Sequence, residues 1–358
     1  MINYKGANVK DYQREIIESN EPKIVVNSCA AAGKTTCIIE RIRFLVRNGV
    51  DKNKIVMITF TNAAAEEMKE RLGTTGAGIF IGTVHSYINY LLLCKGVPTS
   101  NYLEKEQYDK LFELISENPY CIQPVEHLFL DEAQDSDELQ WNFILNQVKP
   151  KNFFIVGDTR QAIYGWKGSS VATMKELMQS VDITTYNLPI NYRNDREILN
   201  FAKRIIAKTG DEDESICNSA RKGLKIEEPY DSKTLISCIN QTIENGQKYN
   251  DWFILCRTNA QINDMIKTLN LARIPCDTFK RGDLDLKQFR EKMKDNTVKV
   301  LTIHCAKGLE ANNVAVQGAM FYNDEERRVS YVAATRAKHL LIWFNKPKKK
   351  KKKVTSWI

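Results

Sequence analysis

The sequence predicts an α/β protein of two lobes, each a parallel sheet flanked by helices, with a small helical insertion in the first lobe. Two observations predict it. Short β-branched runs alternate with stretches of helical periodicity along most of the chain, the pattern of strands joined by crossover helices. One of those strands also runs into a turn of small residues that opens a helix at Gly33-Lys34-Thr35. A length of 358 residues is enough for two domains that each bury a core.

In the first lobe, strands are expected at residues 23–27, 55–60, 78–82, 127–130 and 153–156. Between the first two lies a helix whose apolar stripe, Ile38, Ile42, Leu45 and Val46, is spaced by three and four. Residues 86–124 read as mostly helical and form the insertion. In the second lobe, strands are expected at 184–188, 252–256, 298–303, 314–316 and 340–344, with the boundary near residue 182. The expected division is therefore 1–182, 183–346 and a lysine-rich tail, 347–358.

Composition narrows the function class. A hydrophobic fraction of 43% and a charged fraction of 27% are those of a globular domain. No apolar run reaches the ~18–20 residues that span a bilayer, and the first twenty residues lack a signal-peptide core. A cytoplasmic, membrane-free protein is expected. The nine cysteines are scattered singly beside only four histidines, so zinc and iron–sulfur sites are poorly supported and a reducing compartment is the simpler reading. Of the formal charge of +8, Lys346 and the lysines at 348–353 supply seven, so the rest of the chain carries +1. Any nucleic-acid affinity of the body must then come from a local groove. The tail PKKKKKKV admits three readings: a polycation binding DNA phosphates, a nuclear localisation signal in a eukaryotic host, or a solubility tail.

The stretch KIVVNSCAAAGKTT places strand, small-residue turn and helix in the order a phosphate loop requires. Backbone N–H groups of Ser28, Cys29, Ala30, Ala31, Ala32 and Gly33 and the helix N-terminus would face the phosphates of ATP. Lys34 would reach the β- and γ-phosphates. The hydroxyl of Thr35, beside Thr36, would take a Mg2+ position. Ser28 stands where such loops usually begin with glycine, and alanine is penalised wherever φ must be positive. Downstream, the strand of LFLDEAQDS ends in paired carboxylates. Asp131 is placed to hold Mg2+, and Glu132 to orient and deprotonate the attacking water.

Eight segments in order give the chain a resemblance to the UvrD/Rep family of superfamily 1 helicases. They are DYQREII, TFTNAAAEEMKERL (59–72), IGTVHSY (81–87), LFLDEAQDS, IVGDTRQAIYGWKGSS (155–170), LPINYRNDREIL (188–199), VLTIHCAKGLE (300–310) and EERRVSYVAATRA (325–337). The resemblance implies two RecA-like P-loop NTPase lobes with ATP bound between them, and a role for each matched residue. Gln13 reads adenine, Tyr192 stacks on it and Glu310 bonds the ribose. Gln161 senses the γ-phosphate, and Arg193 and Arg336 act as arginine fingers. Phe60, Tyr164 and Trp166 are base-stacking platforms. Thr61, Asn62, Thr83, His85 and His304 are polar contacts to the strand.

Two departures from the family pattern stand out. The interval from His85 to Asp131, and the forty or so residues before VLTIHCAKGLE, are too short for the large accessory subdomains, and no nuclease module follows. The expected activity is ATP-dependent movement on single-stranded or tailed duplex DNA, 3′ to 5′, by a monomer whose recruiting partner is not legible. The alternative is an ATP-dependent DNA-binding switch or recruitment factor that does not unwind processively.

Overall fold

The computed structural model describes residues 9–169, 171–229, 231–280, 284, 286–318 and 321–345. The lysine tail expected at 347–358 lies outside them. The chain forms two compact units. The first runs to Tyr192 and includes Glu214–Ile216; the second comprises Arg193–Asp213 and the chain from Cys217 onward.

The first unit is built on six parallel strands: β1 (Lys23–Ser28), β2 (Ile55–Ile58), β3 (Phe80–Gly82), β4 (His127–Leu130), β5 (Asn152–Gly157) and β6 (Thr184–Leu188), in the spatial order β3-β2-β4-β5-β1-β6. Alternate residues of each strand feed opposite faces. Val25, Ile58, Leu128 and Ile155 join one apolar cluster, while Ile24, Val26, Met57, Phe129 and Phe154 join the other. Burial on both faces is what parallel sheets demand, and it explains the uninterrupted apolar runs. The helix Lys34–Arg47 covers the second face with Ile38, Ile42 and Leu45, and Val46 packs at the margin.

One expected strand changes lobe. The sequence pattern places residues 184–188 in the second lobe, but β6 pairs in parallel with β1, with Ser28 opposite Leu188. The division falls between Tyr192 and Arg193 rather than near 182. The alternating pattern identifies a strand but not which sheet it joins. The insertion is helical as expected, with helices Val84–Cys94, Ser100–Glu104 and Asp109–Glu117.

Two short strands follow, β7 (Ile190–Asn191) and β8 (Ile216–Cys217). The sheet of the second unit contains β9 (Leu224–Pro229), β10 (Trp252–Cys256), β11 (Cys276–Asp277), β12 (Val298–Thr302), β13 (Ala311–Gln317) and β14 (Ala337–Asn345), in the order β11-β12-β10-β13-β14-β9 and again all parallel. Its core on one face gathers Trp252, Ile254, Val300, Ala315 and Ile342. On the other face the Trp343 ring meets Phe201 edge-on, at 5.0 Å between centroids. Sequence reading missed β9, whose residues LKIEEP are charged and end in proline, as suits an edge strand. All nine cysteines are free thiols. Among the described residues no helix is long and apolar enough to cross a membrane.

Candidate nucleotide and nucleic-acid site

Apart from DYQREII, which lies on a helix before β1, every matched motif of the first unit leaves the carboxyl end of a strand. Ligands of open α/β sheets bind there, because the loops converge and the following helices present their N-termini. Register sets the level: Asn27 lies opposite Gly157, Ser28 opposite Leu188, and Ile58 opposite both Gly82 and Leu130.

The phosphate loop is pinned along its length. Ser28 donates its hydroxyl to the Gly157 carbonyl at 3.0 Å, and Cys29 N–H donates to Leu188 at 3.0 Å. The carbonyl of Ala30 accepts the Asn191 amide at 3.0 Å, and that of Ala31 accepts Tyr192 N–H at 3.3 Å. Ala31 has φ 56°, a left-handed conformation that costs an alanine about 1 kcal/mol. Gly33, at φ 85°, is the N-cap of the helix that begins at Lys34. Any other residue at Gly33 would be strained by the positive φ, and its Cβ would come within 2.8 Å of Gln13 Nε2. Gln13 itself is buried and donates to the Ala32 carbonyl at 3.2 Å. The helix Asp11–Glu18 that carries it is held by Arg41, which donates to the carbonyls of Ile16, Ile17 and Ser19. Thr35 and Thr36 are half-buried in the first turn, where Thr36 accepts from Arg71 at 3.2 Å.

The carboxylate pair sits at the end of β4. Lys34 Nζ lies 3.0 Å from Glu132 Oε1. Burial disfavours the ammonium, but Glu132, Asp131 and Asp158 outweigh it and hold Lys34 above its ordinary value. Asp131 is pushed up to about 7, first by burial and then by neighbouring Glu132, against the pull of Lys34. Glu132 occupies a left-handed backbone at φ 52°, its N–H donating to Asp131 Oδ1 at 2.9 Å. That turn aims its carboxylate at Lys34 on one side and at Gln134 Nε2, 2.5 Å away, on the other. A hydroxyl from Thr35 and a buried carboxylate from Asp131 are the hard oxygen donors that magnesium takes. A cation near Asp131 would also hold it ionised.

Gln161 is buried, and its Nε2 donates to Asp158 Oδ2 at 2.6 Å. Two neighbours escaped the sequence reading. Asp158 is fully buried, and Arg160 donates Nε to Asp158 Oδ1 at 2.7 Å and a terminal nitrogen to the Ser28 carbonyl at 2.7 Å. Gln134 was missed as well; its Oε1 accepts Asp158 N–H at 2.9 Å. A charged residue in a loop normally reads as solvated, and only the depth of this loop shows otherwise.

The expected base platforms divide by exposure. Trp166 is 66% exposed, whereas Tyr164 is 7% exposed and stacks on Phe60 with centroids 5.1 Å apart. Thr61 and Thr83 are N-caps, accepting from Ala64 and Ser86 N–H at 3.2 Å each, and Asn62 is exposed in the first turn after Thr61. His85 lies edge-on to Phe112 and Tyr108, and burial lowers its pKa despite Asp137 and Asp109.

Tyr192, where the first continuous stretch of the first unit ends, is 38% exposed and shares a 2.8 Å hydrogen bond with the hydroxyl of Tyr12. In the second unit, Arg193 Nε lies 2.6 Å from Glu310 Oε2, and Lys338 Nζ lies 2.7 Å from Glu310 Oε1. Burial would raise Glu310, but Arg193 and Lys338 prevail and hold it at about 2. Arg336 is 1% exposed and donates to the carbonyls of Val332 and Leu309 and to the Thr335 hydroxyl. His304 is half-buried just beyond β12.

Residues 13–167 match the family model described as an AAA domain, and residues 186–286 and 281–346 match that of the UvrD-like helicase C-terminal domain. Among curated relatives, DNA helicase II of Haemophilus influenzae is 24% identical over 75% of this chain and 50% of its own length. The Gabija protein GajB of Bacillus cereus is 26% identical over 72% and 61%, and ATP-dependent DNA helicase PcrA of Staphylococcus epidermidis is 23% identical over 76% and 51%. The chain thus spans about half to three fifths of the length of these relatives. With both halves matched in order, the chain belongs to the UvrD/Rep-like helicase family.

Proposed function

We propose that the protein hydrolyses ATP to move along single-stranded DNA, 3′ to 5′, and to open tailed duplexes. The observation that carries the reading is the Lys34–Glu132 pair at 3.0 Å, beside Asp131 at the mouth of the phosphate loop. Phosphoryl transfer needs a cation on the departing γ-phosphate and a base for water, and these side chains supply both. Thr35 and Asp131 would hold Mg2+, which neutralises phosphate charge. Glu132, fixed by its turn and by Gln134, orients the water and takes its proton. Lys34 remains protonated opposite the transferring group.

In this reading Arg193 and Arg336 add positive charge to the γ-phosphate while ATP is bound, a contact that is lost after hydrolysis. Such differential contact is what shifts a population between two arrangements. Tyr192 and Gln13, both bonded to the phosphate loop, would hold the adenine. Trp166 is the base platform, with His85, Thr61, Asn62, Thr83 and His304 along the strand. Phe60 and Tyr164 support it as a stacked pair.

The test is unwinding of duplexes with 3′ or 5′ single-stranded tails, run beside DNA-stimulated ATPase. Unwinding from 3′ tails alone supports the reading, and preference for 5′ tails rejects the polarity. The short insertion, three helices between Val84 and Glu117, favours one second reading, an ATP-dependent DNA-binding switch. That reading predicts stimulated hydrolysis without strand separation or directional movement.

A further inference from the structure

Two buried charges of the first unit take no part in the roles above. Arg160 is 6% exposed and Asp158 is 0% exposed. Burying an arginine–aspartate pair is expensive, and an apolar pair of similar volume is often as stable, so stability alone does not account for it. Its connections do. The guanidinium divides its donors, Nε to Asp158 Oδ1 at 2.7 Å and a terminal nitrogen to the Ser28 carbonyl at 2.7 Å. The other oxygen, Asp158 Oδ2, takes Gln161 Nε2 at 2.6 Å. Through Gln134 the same aspartate is tied to Glu132.

One buried network therefore runs from the base to the γ-phosphate sensor and on to the first residue of the phosphate loop. We propose that Arg160 is a positioning residue: it locks the Ser28 carbonyl to the carboxylate that orients Gln161, so that loop and sensor hold one geometry. The proposal rests on the ATPase reading of this site. Ser28 reinforces the lock by donating its hydroxyl to Gly157. Lysine at position 160 would keep the charge but lacks the rigid planar fork whose separate nitrogens reach the Asp158 carboxylate and the Ser28 carbonyl from fixed directions.

The experiment compares the full chain with Arg160→Lys and Arg160→Met. Equilibrium binding of ATPγS and ADP is measured first, then kcat and KM for ATP with saturating single-stranded DNA. Charge-assisted hydrogen bonds of this kind set the scale of the effect. Arg160→Lys is expected to lose about tenfold or more of the preference for ATPγS over ADP, with ADP affinity little changed. Its kcat should fall more than its KM rises. Wild-type preference and kcat in both variants would overturn the proposal.

If Arg160→Met does not fold, Arg160→Lys combined with Gln161→Ala decides. Losses that are less than additive are expected, because both side chains act on Asp158. Independent, additive losses would overturn it. A wild-type chain without ATP turnover would remove the ATPase reading, while the ATPγS-to-ADP preference of the variants would still judge Arg160.

Discussion

Lys34 and Glu132 meet at 3.0 Å although their strands, β1 and β4, are not neighbours; β5 runs between them. The contact is made above the sheet, by the first helical turn after β1 and the left-handed residue after β4. Removing either partner should therefore stop chemistry while leaving the sheet intact. Glu132→Gln is expected to bind ATP and to hydrolyse it at least about 100-fold more slowly. Lys34→Ala should lose both binding and turnover. Steady-state hydrolysis and nucleotide titration check this, and normal turnover by Glu132→Gln would remove the assigned base.

Ala31 holds a backbone that glycine prefers. Ala31→Gly is expected to stabilise the chain by about 1 kcal/mol, raising the melting temperature of the first unit by roughly 2–4 °C. Thermal unfolding followed by circular dichroism measures it; a lower melting temperature would mean the loop carries no such strain.

Trp166 and Tyr164 sit two residues apart and should respond differently to truncation. Trp166→Ala is expected to weaken single-stranded DNA binding by ~1–3 kcal/mol, roughly 5- to 150-fold, with unchanged stability. Tyr164→Ala removes a buried ring stacked on Phe60 and should cost about 3 kcal/mol of stability. Fluorescence anisotropy on an oligonucleotide, beside chemical denaturation, separates the two effects. Equal DNA affinity in Trp166→Ala would take it out of the strand's path.

Glu310 is held at about 2, below the ~4.3 of an unfolded chain, by Arg193 and Lys338. A depressed carboxylate contributes stability that is complete above its unfolded pKa and is lost as pH falls towards its folded pKa. Glu310→Gln should therefore be less stable than wild type at pH 7, and the gap should close between about pH 4 and pH 2. Because the side chain is 41% exposed, solvent screening keeps the effect small. Urea titrations at several pH values measure it, and a gap that persists to pH 2 would contradict the assignment.

Much of this was legible in the sequence. β4 and β10 match their expected bounds because apolar runs end at the charged residues Asp131 and Arg257, and β6 matches because its run ends at Pro189. The turn after β1 and the position of the Asp131-Glu132 pair were legible because each follows an apolar strand. Three things were not. The sheet that β6 joins depends on pairing between distant segments, which no local pattern encodes. The depth of Asp158 and Arg160 depends on Gly157, where a Cβ would strike Gln134 and Met174 at 2.7 Å. The fate of Tyr164 depends on Phe60, about a hundred residues upstream.

The left-handed turn at Glu132 has a consequence for which residues the position could accept. A side chain forked at Cβ crowds its own backbone at positive φ, so valine, isoleucine and threonine are barred on shape alone, apart from any question of charge. Unbranched glutamine copies the outline of glutamate, so it removes the charge without disturbing the turn. Swapping in asparagine or glycine would ease the turn but withdraw the reach. Shape therefore restricts this position as much as acidity does.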